Sequence, residues 1–240
     1  MSVRVKFGAI REDRLMDPPP PSRSPALCLS AAAVCGLLFG VVLGLVAAEW
    51  SPLLSWDRTV ADDLHGSART RPGWVTANRI LTDWVWDPWT LRALLVLAAL
   101  WLLWRGDRFT AAWILLAAVS GSLLQQALKW AVDRPRPQWE NPVDTAPYMA
   151  FPSGHAMTAA LVCPLLVWLL AGRDRGSATR GRRLATAAAA AAAAVSILGV
   201  GFTRVYLGVH WFSDVLGGWL LGGALAALTA AVCTLRRTAP

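Results

Sequence analysis

Charge is the first thing this chain has little of. Only 16% of its 240 residues are Asp, Glu, Lys or Arg, while 55% are hydrophobic and the mean hydropathy is +0.44. So few charges, set between long uncharged runs, exclude an ordinary water-soluble domain and indicate an integral membrane protein. Lysine is almost missing. Of 23 basic residues only Lys6 and Lys129 are lysines, so a lysine inside a polar motif is a signal. Cysteine is scarce as well. Cys28, Cys35, Cys163 and Cys233 lie in apolar segments, with no CxxC or metal-ligand spacing, and read as small packing residues. The net charge of +8 and pI near 10.3 would by themselves suggest a nucleic-acid partner. Their distribution excludes it. The basic residues flank apolar runs, as topology signals and contacts to anionic lipid headgroups do.

A helix needs about 20 residues to cross a bilayer, so a chain of this length holds about six spans. Six apolar runs are present, at 25–48 and roughly 88–104, 110–128, 156–172, 184–202 and 215–235. The expectation is an all-α membrane bundle of six transmembrane helices over residues 26–237. A disordered basic tail over residues 1–25, ending in "DPPPPSRSP", precedes it. The first run is longer than the apolar core of a signal peptide and reads as a retained anchor. Pro164 is expected to bend the fourth helix, and Ala187–Ala194 lets neighbouring helices approach closely. Trp50, Trp84, Trp86, Trp89, Trp104, Trp130 and Trp211 fall near span ends and read as an interfacial belt.

Fourteen of the basic residues fall on one side, in the tail, the 105–109 turn, the 173–183 loop and the carboxyl end. The positive-inside rule then places both termini in the cytoplasm of a multi-pass cell-membrane protein. It makes residues 49–87 a long outer loop, where segments such as "VTANRILTDWVW" are expected as amphipathic helices on the outer leaflet. His65, beside Asp62 and Asp63, is expected to be solvated.

Three polar clusters interrupt the apolar pattern: "KWAVDRPRP" after span three, "PSGH" before span four, and "TRVYLGVHWFSD" between spans five and six. With six spans, parity brings all three to the outer face. Lys129, Arg136 and Arg204 are cations at the bilayer, where charge is expensive without a partner or a use. Guanidinium forks suit phosphate oxygens, and an ammonium adds a point charge. Ser153 reads as the N-cap of the next helix, and Gly154 lets backbone N–H groups come close to an anion. This is an oxyanion cradle that needs no metal. His210 and Asp214, four apart, are expected on one helical face, with the carboxylate taking one ring proton and leaving the other nitrogen nucleophilic. His155 is left as a second acid/base group. Arg134 has two readings, a snorkelling anchor or a member of the site. Gln125 and Gln126 either extend the site inward or bond to another helix.

These three clusters resemble the signature of the type 2 phosphatidic acid phosphatase family of membrane lipid phosphatases: Lys, six residues, Arg-Pro; Pro-Ser-Gly-His; then Ser-Arg, five residues, His, three residues, Asp. One position departs, where Thr203 stands for the serine; its hydroxyl is kept, and its placement is open. The resemblance implies a six-helix membrane enzyme with an extracytoplasmic active site, acting without metal or cofactor on a lipid phosphate or diphosphate. Undecaprenyl diphosphate is favoured over phosphatidylglycerol phosphate and phosphatidate. It implies that His210, oriented by Asp214, forms a phosphohistidine and that His155 protonates the leaving group. Lys129, Arg136, Arg204, Ser153 and Gly154 would hold the phosphoryl oxygens. Membrane lipids are the expected surroundings, nucleic acid is not an expected partner, and the sequence carries no signal of oligomeric state. Two other uses of the same residues stay open. One is a metal-dependent hydrolase with His155, His210 and Asp214 as ligands, where three nearby cations would repel a divalent ion. The other is a non-catalytic protein that binds or transports a lipid phosphate.

Overall fold

Apolar length decides where the long helices lie. In the computed structural model residues 24–172 and 179–238 are described, and all regular structure among them is helical. The tail expected over residues 1–25 falls outside them up to residue 23, as do residues 173–178 of the arginine-rich loop. In chain order the helices are α1 (Pro25–Ala47), α2 (Ser51–Arg69), α3 (Pro72–Ile80), α4 (Pro88–Trp104), α5 (Arg108–Val132), α6 (Gly154–Ala171), α7 (Arg180–Tyr206) and α8 (Phe212–Thr238). Among the described residues six helical segments are long and apolar enough to cross a membrane: α1, the run Pro72–Trp104 that ends in α4, and α5 to α8. The six expected spans are therefore present, although α7 and α8 begin three or four residues earlier than their apolar runs.

Local chemistry sets the boundaries. Asp87 caps α4 by accepting from the N–H groups of Trp89 and Thr90, at 2.7 and 3.1 Å, and Pro88 follows at the first helical position. Asp107 caps α5 through the Thr110 N–H at 3.1 Å. α5 ends at Asp133, whose backbone is left-handed with φ 49°. α6 runs on through Pro164.

α6 is the most enclosed helix, packed against α4, α5, α7 and α8, while α1 lies along α8. Leu95, Ile114, Leu161, Leu165 and Val200 are buried together in its core. Cys163 and Cys233 are buried and all four cysteines are free thiols, as packing residues would be. Against α6, α8 presents Gly218 and Gly222, four residues apart, and the backbones touch there. A Cβ at Gly222 would stand 2.3 Å from the Met157 carbonyl oxygen, and one at Gly218 2.6 Å from that of Ser153. Small residues at this spacing let two membrane helices meet. Gly222→Ala should therefore push α8 from the start of α6 and destabilise the protein by about 1–3 kcal/mol, the usual range for overpacking. Thermal unfolding in detergent reads this directly, and an unchanged midpoint would refute the close contact.

Residues 49–87, where amphipathic helices are expected, are largely helical. They form α2, α3 and a π-helical turn, Leu81–Val85, and α2 does not merely lie at the surface. Asp57, Ala61, His65 and Ala68 recur at helical spacing and are all buried. The expectation of a solvated His65 is thus overturned. It is 6% exposed, and its ring stacks on Trp139 at 3.9 Å between centroids. Burial, with Arg69 adding to it, holds its pKa below the usual histidine value. The tryptophan belt also needs revision. Trp50, Trp84, Trp89, Trp104 and Trp130 are exposed, but Trp86 packs against the core beside Gly199, and Trp211 donates its indole N–H to the Pro135 carbonyl at 2.9 Å.

Candidate active site

The end of α5, the start of α6 and the α7–α8 connection converge. Two backbone bonds fasten them: Ala150 N–H to the Arg134 carbonyl at 2.8 Å, and Ser153 N–H to the Asp214 carbonyl at 2.9 Å. Between them lies a cavity of about 400 Å³ lined by Lys129, Arg136, Gly154, His155, Arg204 and His210, with Asp83, Asp87, Asp144 and Tyr148 among the other lining residues. All three sequence clusters reach this one cavity.

His210 is not on a helix, contrary to the expectation of a shared helical face with Asp214. α7 ends at Tyr206, Gly208 turns the chain at φ +69°, and α8 begins only at Phe212. The N–H groups of Val209 and His210 both reach the Arg204 carbonyl, at 3.2 Å, which folds this short loop over the end of α7. Asp214 is the third residue of α8, and its Oδ2 reaches back to the Trp211 N–H at 2.9 Å, the backward half of a capping box. The same Oδ2 lies 3.2 Å from His210 Nδ1. The helix start, rather than a helix face, brings the pair together.

The other ring nitrogen, Nε2, is 3.0 Å from Arg136 Nη1. Arg136 also donates to the carbonyls of Val209, Tyr148 and Pro147, and Lys129 donates to the carbonyl of Met149. Arg204 is 5% exposed; Nη1 reaches Thr82 Oγ1 at 3.3 Å and Nε has no partner among the described residues. Burial, then the charges of Arg136, Arg204, Lys129 and Arg134, hold the His210 pKa well below 6.5. The imidazole is neutral at neutral pH, with Nε2 pointed at a guanidinium. Taken together, these groups can receive an oxyanion beside a neutral imidazole.

A family model described as the PAP2 superfamily matches residues 110–237, just over half of the chain. The chain belongs to the PAP2 superfamily. It is similar to phosphatidylglycerophosphatase B of Bacillus subtilis strain 168, 36% identical over 109 residues, which is 45% of this chain and 51% of that protein. It is also similar to an undecaprenyl-diphosphatase of Sulfolobus acidocaldarius, 26% identical over 159 residues, 61% of this chain and 63% of that one. The chain thus spans about half the length of the first relative and under two thirds of the second. A crystal structure of a transmembrane PAP2 type phosphatidylglycerolphosphate phosphatase from Bacillus subtilis has the same fold. Its TM-score is 0.73 at 24% identity, covering 87% of this chain and 98% of that one.

Within this PAP2 fold the structure settles several positions. Ser153 occupies the N-cap of α6, yet its side chain caps nothing, against expectation; the hydroxyl is fully buried with no partner among the described residues. Thr203 turns its hydroxyl to the Val200 carbonyl, 2.8 Å away in its own helix, and does not line the cavity. Gln125 donates to the Pro152 carbonyl at 3.2 Å and so supports the start of α6, whereas Gln126 is exposed. Arg134 is no snorkelling anchor. It is 8% exposed and bridges Asp214, at 2.6 Å, and Asp57, at 2.8 Å. Asp57 was absent from the sequence expectations. Its signal was the buried stripe of α2, visible once α2 is read as a docked helix.

Among the described residues no three His, Cys, Asp or Glu side chains converge as a metal site would need. The position beside Nε2 is taken by the Arg136 guanidinium, which a divalent ion would have to displace.

Proposed function

We propose that the protein is a metal-independent lipid phosphatase that works through a phosphohistidine on His210. The observation carrying this reading is the bipolar setting of that ring, with Nδ1 on a buried carboxylate and Nε2 facing Arg136 in a cavity shared with Lys129, Arg204 and His155. Nδ1–H donates to Asp214, which fixes the tautomer in which Nε2 carries a lone pair, directed at Arg136 until a phosphoryl group takes that place. Nε2 attacks phosphorus, the bond to the leaving oxygen breaks, and His155 supplies the proton that oxygen needs. Water then attacks the phosphohistidine and gives its proton to His155, the N–P bond breaks, and inorganic phosphate leaves. Lys129, Arg136, Arg204 and the start of α6 at Ser153 and Gly154 hold the phosphoryl oxygens and match the charge that develops on them.

The positive-inside distribution supports an extracytoplasmic site, and with it undecaprenyl diphosphate as the leading substrate. The names of the relatives add phosphatidylglycerophosphate, and the family resemblance adds phosphatidate. Purified protein tested on these three lipids in a chelator should release phosphate, with vanadate inhibiting. Activity that vanishes in chelator and returns with zinc would overturn the metal-free reading, and lipid binding with no phosphate release would overturn catalysis.

A further inference from the structure

The family match begins at residue 110, so α2 lies outside it, and yet α2 meets the His210 loop on both sides. Downstream of His210 the contact is Asp57, which is fully buried. Its Oδ1 accepts from the Ser213 N–H at 2.9 Å, and Oδ2 accepts from the Ser213 hydroxyl at 2.5 Å and from Arg134 Nη2 at 2.8 Å. Arg134 Nη1 in turn donates to Asp214 Oδ1 at 2.6 Å and to Ser213 Oγ at 2.7 Å. Asp214 is therefore held on Oδ2 by His210 and Trp211, and on Oδ1 by an arginine that Asp57 fixes. Upstream, two turns along the same buried stripe, His65 stacks on Trp139 with 13° between the ring planes. The Trp139 indole donates to the Gly208 carbonyl at 2.8 Å, and a Cβ at Gly208 would come within 2.5 Å of that indole nitrogen. Gly208 is the left-handed residue that turns the loop toward His210.

We propose that α2 is a brace for the nucleophile loop, with Asp57 and His65 as positioning residues. Asp57 aligns Asp214 through Arg134 and Ser213, and His65 fixes the Gly208 turn through Trp139. This rests on His210 being the nucleophile, as proposed above.

Charge explains why an aspartate does the downstream work. Asp57, Arg134 and Asp214 form a buried triad with one cation between two carboxylates. Arg134 is shared, so Asp214 keeps enough negative field to hold and polarise the Nδ1 proton. A neutral residue at 57 would leave Arg134 wholly to Asp214 and weaken that field. The other charged or titratable groups around the ring are Lys129 and Arg136 from α5 and the segment after it, His155 from α6 and Arg204 from α7. Asp83, Asp87 and Asp144 line the same cavity. Asp57→Asn alters none of these directly. It removes a negative charge from the triad, so His210 becomes harder to protonate and less basic.

The experiment uses full-length purified protein and phosphate release from phosphatidate across pH. Asp57→Asn should lower kcat by about 10–100-fold, the range for groups that orient a reacting side chain through another, while KM stays within about twofold. Its acid limb in kcat/KM should move to lower pH, which a purely structural role would not produce. A loss no larger than the loss of folded protein, with the limb unmoved, overturns the assignment of Asp57. His65→Ala should also lower kcat, and His65→Phe should recover most of that loss, because a phenyl ring can stack on Trp139. If His65→Phe is no better than His65→Ala, the upstream half of the brace fails, and this pair decides the matter should Asp57→Asn not fold. Wild-type protein that releases no phosphate from any lipid would instead sink the proposed function, and the brace with it.

Discussion

His210→Ala should abolish phosphate release, lowering kcat by at least about 10⁴-fold, the scale on which removal of a covalent nucleophile is felt. The fold should survive. Asp214 loses one of its partners, the ring at 3.2 Å, but keeps the Trp211 N–H and Arg134, so the start of α8 stays capped. The ring is buried in the loop, and its removal leaves space in a short connection rather than in the core around Leu161 and Leu165. Vanadate should still bind, because Lys129, Arg136 and Arg204 are untouched. Acid-labile label from a phosphorylated lipid should be trapped by wild-type protein and absent from the variant. Retained turnover, or label that persists without the imidazole, would show that another group attacks phosphorus.

The fold was legible wherever apolar length was the signal, and the spans emerge from hydropathy and the bilayer thickness alone. The gathering of the clusters was legible where short spacing carried it, since Lys129, Arg136, His155, Arg204 and His210 line one cavity and Asp214 lies buried against the ring of His210. What escaped was set by tertiary partners. Arg134 looked as much like an anchor as a site residue because its partner Asp57 lies 77 residues away. His65 looked solvated because Asp62 and Asp63 precede it, although positions 57, 61, 65 and 68 already traced a buried stripe. Ser153 was expected to cap α6, the commonest use of a serine there, and its buried hydroxyl has no partner among the described residues. Spacing correctly joined His210 to Asp214 and misread how. Four residues on a helix face and a loop residue meeting the third position of a helix give the same spacing, and Gly208 makes the difference.

Asp214→Asn should be nearly as damaging as loss of the histidine, lowering kcat by about 10⁴-fold if Asp214 orients and polarises the imidazole as triad aspartates do. Asparagine matches the shape but not the charge. Its amide can present N–H rather than oxygen to Nδ1, which favours the tautomer whose proton sits on Nε2, where the lone pair is needed. The pH profile separates this from simple damage. In wild-type protein burial and the surrounding cations keep His210 neutral to well below pH 6.5, so the acid limb of kcat/KM should lie low. Removing the carboxylate hydrogen-bonded to the ring lowers the pKa further. The limb should therefore move to still lower pH, and no choice of pH should restore activity. Stability should fall too, by about 3–5 kcal/mol, because the buried Arg134 loses one of two carboxylates. Rates must accordingly be normalised to folded protein, measured by thermal unfolding in detergent. A well-folded Asp214→Asn protein within about tenfold of wild type, far from the effect of losing a triad carboxylate, would leave Asp214 only the cap of α8. His210 would then owe its reactivity to the cations alone.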